Sequence, residues 1–163
     1  MKIFITILAI LNTYTAFGQK YVDFPSFEKF YSTFGELLKY PDGLETKQPS
    51  TVTLMKINFA ANGEVQSISF SDSAFPKFVD LIQKMENKFD FKSIYEDIKI
   101  KHNSAAQVII PIQIDYEQIG EWQSKISSDN IKKLYFFDGK PISGEYFFYP
   151  NIYYKYVVGP VNR

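Results

Sequence analysis

Few residues in this chain have the type and spacing that catalysis or metal binding requires. Its 163 residues include one histidine, His102, and no cysteine. A Ser-His-Asp site needs a histidine beside a nucleophile and a carboxylate, and zinc needs several His or Cys ligands. His102 lies in the polar segment 101–104, which we interpret as a solvated turn. The sequence therefore predicts no catalytic histidine, no thiol nucleophile and no metal site.

Two carboxylate pairs are the remaining chemical candidates, Asp115 with Glu117 and Glu96 with Asp97. Such pairs hydrolyse glycosides when one carboxyl acts as acid and the other as base or nucleophile, but most acidic side chains are simply solvated. Glycine-rich nucleotide-binding loops are absent from the sequence. We predict a protein that is not an enzyme and has no cofactor, with a small exported carboxylate hydrolase as the alternative.

The aromatic residues offer a binding surface instead. They make up 18% of the chain, with 16 Phe and 12 Tyr, and many lie near the C-terminus. Rings that alternate along a hairpin form an adhesive or sugar-stacking face. The competing interpretation is that one face packs on the domain. The candidate partner-binding rings are Tyr135, Phe137, Tyr146, Phe148, Tyr153 and Tyr156.

Apolar periodicity predicts the elements that position these groups. A 3.6-residue period predicts a helix over 26–40, with Ser26 as N-cap. Alternation predicts strands over 51–59 and 64–70, joined by an Asn62-Gly63 hairpin turn. A second helix should be capped within Ser71-Asp72-Ser73, carry Pro76 in its first turn and continue its apolar stripe to Phe89.

The second half of the chain reads as mostly β. We predict a short strand around 94–100 and a strand over 107–116, in which Pro111 favours a position at the edge of a sheet. The segments 131–137 and 146–158, with the turn signal Asp138-Gly139, predict an aromatic hairpin. The candidate edge residues for partner binding are Gln107, Ile109, Pro111, Gln113 and Asp115.

The N-terminus is typical of a secretory signal peptide. Lys2 precedes the apolar run 3–11, and Ala16-Phe17-Gly18 places small residues where signal peptidase cleaves. We predict cleavage between Gly18 and Gln19 and a periplasmic or secreted protein. The apolar run is about half the ~20 residues that span a bilayer, so we expect no stable membrane insertion after cleavage.

Charge argues against one class of partner. Lys and Arg number 18, as do Asp and Glu, so the net charge is zero. Nucleic-acid binding depends on neutralising phosphates with clustered basic side chains. We therefore predict a protein or peptide partner and no nucleic acid.

The order helix, hairpin, helix, strand over 26–116 resembles the C-terminal domain of the TonB family of energy transducers. The resemblance rests on short motifs: a Tyr-Pro pair after the first helix, a hairpin with an Asn-Gly turn, a Ser-containing link and an apolar-Pro-apolar last strand. These are Tyr40-Pro41, Val52–Ser69, Ser71-Asp72-Ser73 and Ile110–Ile114. Where the family has Trp and Pro near the end of the second helix, this chain has 89–92 (FDFK).

The resemblance implies an α+β domain in which two helices cover a three-stranded antiparallel sheet. It also implies peptide binding by strand addition in the cell envelope. The chain lacks the membrane anchor and Pro-rich spacer of the energy transducers, so the resemblance does not extend to energy transduction. We divide the chain into a signal peptide (1–18), a TonB-like core (19–116) and an aromatic hairpin extension packed on it (117–163). A structural docking protein of an envelope complex is a further alternative.

Overall fold

The computed structural model describes residues 24–38, 50–102, 107–120 and 125–159. The predicted signal peptide, its cleavage position and the Tyr40-Pro41 pair lie outside these ranges. The described part is mixed α+β, with a mainly antiparallel sheet whose three longer helices pack on one face. The face of the sheet toward the helices is called the helix face below, and the opposite one the outer face.

The first helix, α1, spans Phe27–Leu37 and ends three residues before the predicted limit. Its apolar residues recur every three or four positions, which places Phe30 and Phe34 on one buried stripe. Ser26 is the N-cap residue, as predicted, but its side chain makes no capping hydrogen bond. Its backbone N–H and its hydroxyl donate instead to Asp97.

The predicted hairpin forms from β1, Ser50–Phe59, and β2, Val65–Phe70, which pair antiparallel. Gly63 adopts φ +85°, but Asn62 does not have positive φ, so the hairpin forms without the predicted Asn-Gly turn geometry, which needs positive φ at both residues. A Cβ at Gly63 would also lie 2.6 Å from the Tyr95 ring, whose hydroxyl donates to the Ala61 carbonyl. Both the backbone conformation and the close ring therefore require glycine at this position.

The second helix, α2, spans Pro76–Lys84, with Pro76 in its first turn as predicted. Its N-cap residue is Phe75, so the prediction that Ser71-Asp72-Ser73 caps it is wrong. The side chains of Ser71 and Asp72 instead accept hydrogen bonds from Leu54 and from the turn at 138–139. The stripe residues Phe78 and Ile82 are buried, and a 3₁₀ turn, Glu86–Lys88, carries the chain to the buried Phe89.

The third helix, α3, spans Phe91–His102, where the sequence analysis placed a strand and a polar turn. That prediction is wrong, because the buried residues Phe91, Ile94 and Ile98 recur at helical spacing. Asp90 also accepts hydrogen bonds from the backbone N–H and the hydroxyl of Ser93, which is the pattern of an N-terminal cap.

Within the described ranges the main sheet has five strands, not three. The order β2-β1-β3 is antiparallel, as predicted, with β3 spanning Gln107–Gln118. Beyond β3 lie β6, Phe147–Phe148, and β7, Ile152–Val158, and both run parallel to it. The predicted aromatic hairpin is therefore wrong, because its second half adds to the main sheet. The described residues therefore contain more strands and more helices than the predicted three-stranded sheet covered by two helices.

The segment between β3 and β6 covers part of the outer face. It contains the short helix α4, Ser128–Lys133. It also contains a small hairpin of two strands of two residues each, β4, Phe136–Phe137, and β5, Lys140–Pro141. The predicted strand over 131–137 is thus mostly wrong. Asp138 and Gly139 have φ of 51° and 71°, so the turn signal there is confirmed.

Asp72 fastens this hairpin to the core. Its carboxylate accepts hydrogen bonds from the backbone N–H groups of Asp138 and Gly139, each at 2.9 Å. Phe137 then packs on Leu54 and Ile109 in a small cluster on the outer face. The main core lies on the helix face, where residues of β1, β3 and β7 pack on α1, α2 and α3.

Candidate functional site

Strand β3 is an interior strand, so the predicted partner-binding edge is wrong. It pairs with β1 over 107–115, and with β6 and β7 on its other side. The five candidate residues do share one face, the outer face, as their alternation predicted. Ile109 is fully buried there and Asp115 is 7% exposed. None of their backbone groups forms the free edge of the sheet.

Pro111 fits an interior strand for a local reason. It is paired with Leu54, which directs its N–H and C=O away from β3, to the side chain and backbone of Ser71. Leu54 and Pro111 therefore form a non-hydrogen-bonded pair, in which no N–H is required. On its other side Pro111 faces the break between β6 and β7, so its missing donor leaves the ladders intact.

The open edge of the described sheet lies at β2, which pairs only with β1. The Leu54–Ser71 bonds fix which backbone groups point outward. Because hydrogen-bonded pairs alternate along an antiparallel ladder, Ser69 and Ser67 point their backbone groups toward β1. Ile68 and Phe70 consequently direct their N–H and C=O groups away from the sheet.

Strand β2 lacks two of the features that commonly block an edge, which are charged side chains and proline. Its sequence, VQSISF, contains no charge and no proline. The opposite edge strand, β7, is partly occupied, because its Tyr153 carbonyl already accepts a hydrogen bond from the Tyr31 hydroxyl of α1. Among the described strands, β2 therefore offers the better template for an added strand.

A cleft of about 820 Å³ lies beside the start of β2. Its walls are the hairpin turn, the end of α2 with the 3₁₀ turn, and the start of α3. Its acidic residues are Glu64, Glu86 and Asp90, and Asp90 pairs with Lys29 at 3.4 Å. Neither of the predicted carboxylate pairs lines it.

The six candidate rings do not form one surface. Phe137 and Tyr146 pack in or against the small cluster on the outer face. Tyr156 lies on the helix face and donates its hydroxyl to the Leu38 carbonyl. Tyr135, Phe148 and Tyr153 are exposed, and of these Phe148 and Tyr153 lie beside β3 on the outer face.

The structure brings together two sets of candidates that the sequence analysis treated separately. Tyr153 on β7 is in register with Gln113 on β3, and its hydroxyl donates to Asp115 at 2.9 Å. The Gln113 amide donates to both Asp115 oxygens, at 3.2 and 3.3 Å. The hydrogen bond to Asp115 raises the pKa of Tyr153 above its ordinary value.

An ion pair lies next to this cluster. Lys155 contacts Glu117 at 2.7 Å, and this bond raises the pKa of Lys155. Asp115 and Glu117 therefore each have a partner, and neither points into the cleft. Both carboxylates thus form contacts between β3 and β7.

The second carboxylate pair separates in space. Glu96 is exposed on α3, whereas Asp97 is buried and accepts hydrogen bonds from Ser26 and from the Tyr149 hydroxyl. Burial, followed by the charge of Asp97, raises the pKa of Tyr149. Asp97 thus links α1, α3 and the loop between β6 and β7, which is a structural role.

Two features escaped the sequence analysis. The β2 edge was readable in principle, because a charge-free, proline-free strand following a hairpin turn is a candidate edge. The contact of Tyr153 with Asp115 had no local signal, because it depends on parallel pairing between strands separated by 33 residues or more.

The described residues contain no group of three or more His, Cys, Asp or Glu side chains placed to hold a metal ion. Within the same ranges, no helix is long and apolar enough to cross a membrane. In comparisons with known proteins, no family model, curated protein or solved structure matches this chain.

Proposed function

We propose that this protein is an exported, non-enzymatic binding module of the bacterial cell envelope, which takes up an extended segment of a partner protein by adding it to β2. The single observation that supports this is the open edge of β2, with the backbone groups of Ile68 and Phe70 directed outward. The resemblance to the TonB C-terminal domain and the predicted signal peptide at 1–18 are further support for a partner in the periplasm or outside the cell.

The faces of β2 define the partner's pattern. Ile68 and Phe70 lie against the core on the helix face, whereas Ser67 and Ser69 lie on the outer face. An added strand would alternate in the same way. We expect a segment with apolar residues at every second position and small polar residues between them, because no charged side chain of β2 would pair with a charged partner.

A peptide-display library selected on the purified protein supplies ligands for the test. We expect Ile68→Pro to weaken binding of the selected peptides about tenfold or more, because it removes an outward N–H and no bond to β1. Ile68→Ala is the matched control, since it loses the same side chain but keeps the N–H, and it should bind within about threefold of the wild type.

A second measurement leaves the protein untouched. Peptides N-methylated at one position at a time should lose affinity with a period of two residues, because only alternate N–H groups of an added strand face β2. Loss at every position, or at none, would count against strand addition. Equal binding by the proline and alanine variants, both folded by circular dichroism, would count against β2 as the site.

A further inference from the structure

The ring of Tyr153 lies along the outer face of the sheet. Its hydroxyl is tied to Asp115, two positions further along the neighbouring strand from its register partner Gln113. A hydroxyl held there places the ring over the outer face between β7 and β3, where the sheet can cover only one of its two faces. Tyr153 is 40% exposed, in agreement with one open face.

Polar groups are placed beside this open ring face. The Gln113 amide is fixed by Asp115, which leaves its carbonyl oxygen as an acceptor. The Tyr153 hydroxyl donates its one proton to Asp115, so its lone pairs also remain as acceptors. The three side chains are thus oriented before any ligand arrives, which lowers the entropic cost of binding.

A second exposed ring lies on the same face. Phe148 is 59% exposed and in register with Ile109, four residues before Gln113. At about 3.3 Å per residue, Phe148 and Tyr153 begin roughly 13 Å apart along the strand direction. The outward-facing β3 residues from Ile109 through Pro111 to Gln113 carry no charge. Lys56 on β1 is in register with Ile109, and its ammonium group lies 4.6 Å from the centroid of the Phe137 ring.

The charges around Tyr153 disfavour anionic ligands. Lys155 is paired with Glu117, and Asp115 is already bound by Gln113 and Tyr153. A phosphate or sulfate group would meet two carboxylates and one paired lysine. A large protein interface is also disfavoured, because the exposed apolar side chains Phe148, Tyr153 and Val157 are not contiguous along the strands.

We propose that the outer face around Tyr153, Gln113 and Asp115 binds an uncharged oligosaccharide. A sugar ring presents C–H groups that stack on an aromatic face, and hydroxyl groups that donate to the amide and phenol oxygens beside it. Phe148 would contact a second sugar unit of the same chain. This site lies on β3 and β7 and is separated from the β2 edge by β1, so it does not depend on strand addition.

The test is titration of the ¹⁵N-labelled protein, by nuclear magnetic resonance, with cellotetraose, maltotetraose, xylotetraose and the N-acetylglucosamine tetramer. At least one should bind at millimolar concentration or below and shift the Gln113 side-chain amide. Tyr153→Ala should weaken this binding about tenfold or more, because it removes the stacking face and releases Asp115. Tyr153→Phe keeps the ring and should therefore lose less affinity than Tyr153→Ala.

Tyr135→Ala is the matched control, because Tyr135 is 54% exposed but outside the main sheet, and it should bind as the wild type does. No shift with any of the four saccharides at tens of millimolar would overturn the proposal. Equal effects of the Tyr135 and Tyr153 variants would do so as well. Ile68→Pro should leave saccharide binding unchanged, so this site and the β2 edge can fail independently.

Discussion

Asp97 is the buried charge on which the packing of this domain most depends. It is 3% exposed and accepts three hydrogen bonds, from the backbone N–H and hydroxyl of Ser26 and from the Tyr149 hydroxyl. A buried carboxylate must be satisfied by donors of this kind, and the donors would in turn be costly to leave unpaired. The pair Glu96-Asp97 was considered for chemistry, but burial gives Asp97 a structural task.

We expect Asp97→Ala to lower the free energy of unfolding by about 3 kcal/mol, because the Ser26 N–H and the buried Tyr149 hydroxyl lose their acceptor. Asp97→Asn should cost about 1 kcal/mol, since the amide oxygen still accepts two of the bonds. Urea unfolding measures both values. Glu96→Ala is the control and should change little. An alanine variant as stable as the wild type would contradict the role of Asp97.

At the scale of elements, the contacts between α1 and β7 include one close approach at Gly35. A Cβ at Gly35 would lie 2.5–2.8 Å from the Tyr154 ring. The ring cannot move away easily, because its hydroxyl donates to the Tyr31 carbonyl on the same helix, and Tyr31 stacks on it with centroids 4.8 Å apart. Glycine inside this helix is therefore explained by a neighbour that is 119 residues distant.

This contact reverses the usual effect of a helix substitution. Gly→Ala inside a helix ordinarily stabilises by up to about 1 kcal/mol, but the clash with Tyr154 should outweigh that gain. We expect Gly35→Ala to lower stability by about 1–2 kcal/mol. In a Tyr154→Ala background the same change should become stabilising. Thermal unfolding of the four proteins tests this, and a Gly35→Ala variant more stable than the wild type would contradict it.

The helices and strands differed in how well local pattern predicted them. The β1–β2 hairpin was predictable because Asn62-Gly63 and strict alternation agree. Helix α3 was missed, although Phe91, Ile94 and Ile98 have helical spacing, because β-branched residues at 94, 98 and 100 also fit a strand. For the proposed saccharide site, alternation placed the five β3 candidates on one face, but only the pairing of β3 with β7 brought Tyr153 next to Gln113 and Asp115.

At the scale of the whole molecule, tyrosine hydroxyls connect the C-terminal strand to the rest of the fold. Tyr154 and Tyr156 donate to backbone carbonyls of α1 and of Leu38, and Tyr149 donates to Asp97. Burial is the largest cause of a raised pKa at all three, and it raises the pKa of Tyr154 to about 12. The packing of β7 on α1 therefore requires that these tyrosine hydroxyls keep their protons.

These pKa shifts predict loss of stability in alkali. A phenol with an ordinary pKa of about 10 when unfolded, and a higher one when folded, stabilises the fold fully below pH ~10. That stability is lost as the pH rises from ~10 through the folded-state value, because the unfolded chain releases its proton first. Urea unfolding at several pH values above 9 should show the decline.

Tyr154→Phe isolates one contribution to this effect. The variant cannot ionise at this position, so its stability should fall less steeply between pH ~10 and ~12 than that of the wild type. Its stability at neutral pH should be lower, because the bond to the Tyr31 carbonyl is lost. The same pH dependence in both proteins would show that Tyr154 is not the group responsible.

The sequence by itself determined what depends on neighbours a few residues apart. This includes the α+β class, the stripe of α1, the β1–β2 hairpin, the Asp138-Gly139 turn and the face that each β3 residue occupies. Those features follow from side-chain periodicity and backbone preference, which act over short separations. Helix α3 belongs to this group as well, although competing strand propensity concealed it.

Tertiary structure alone decided which edge is open. Pro111 argued locally for an edge, but the break between β6 and β7 accommodates it inside the sheet, and the parallel strands leave β2 outermost. It also decided that Asp97 is buried and that Tyr153 reaches Asp115. Each of these depends on contacts between residues dozens of positions apart, whose energies come from packing and hydrogen bonds that no local pattern encodes.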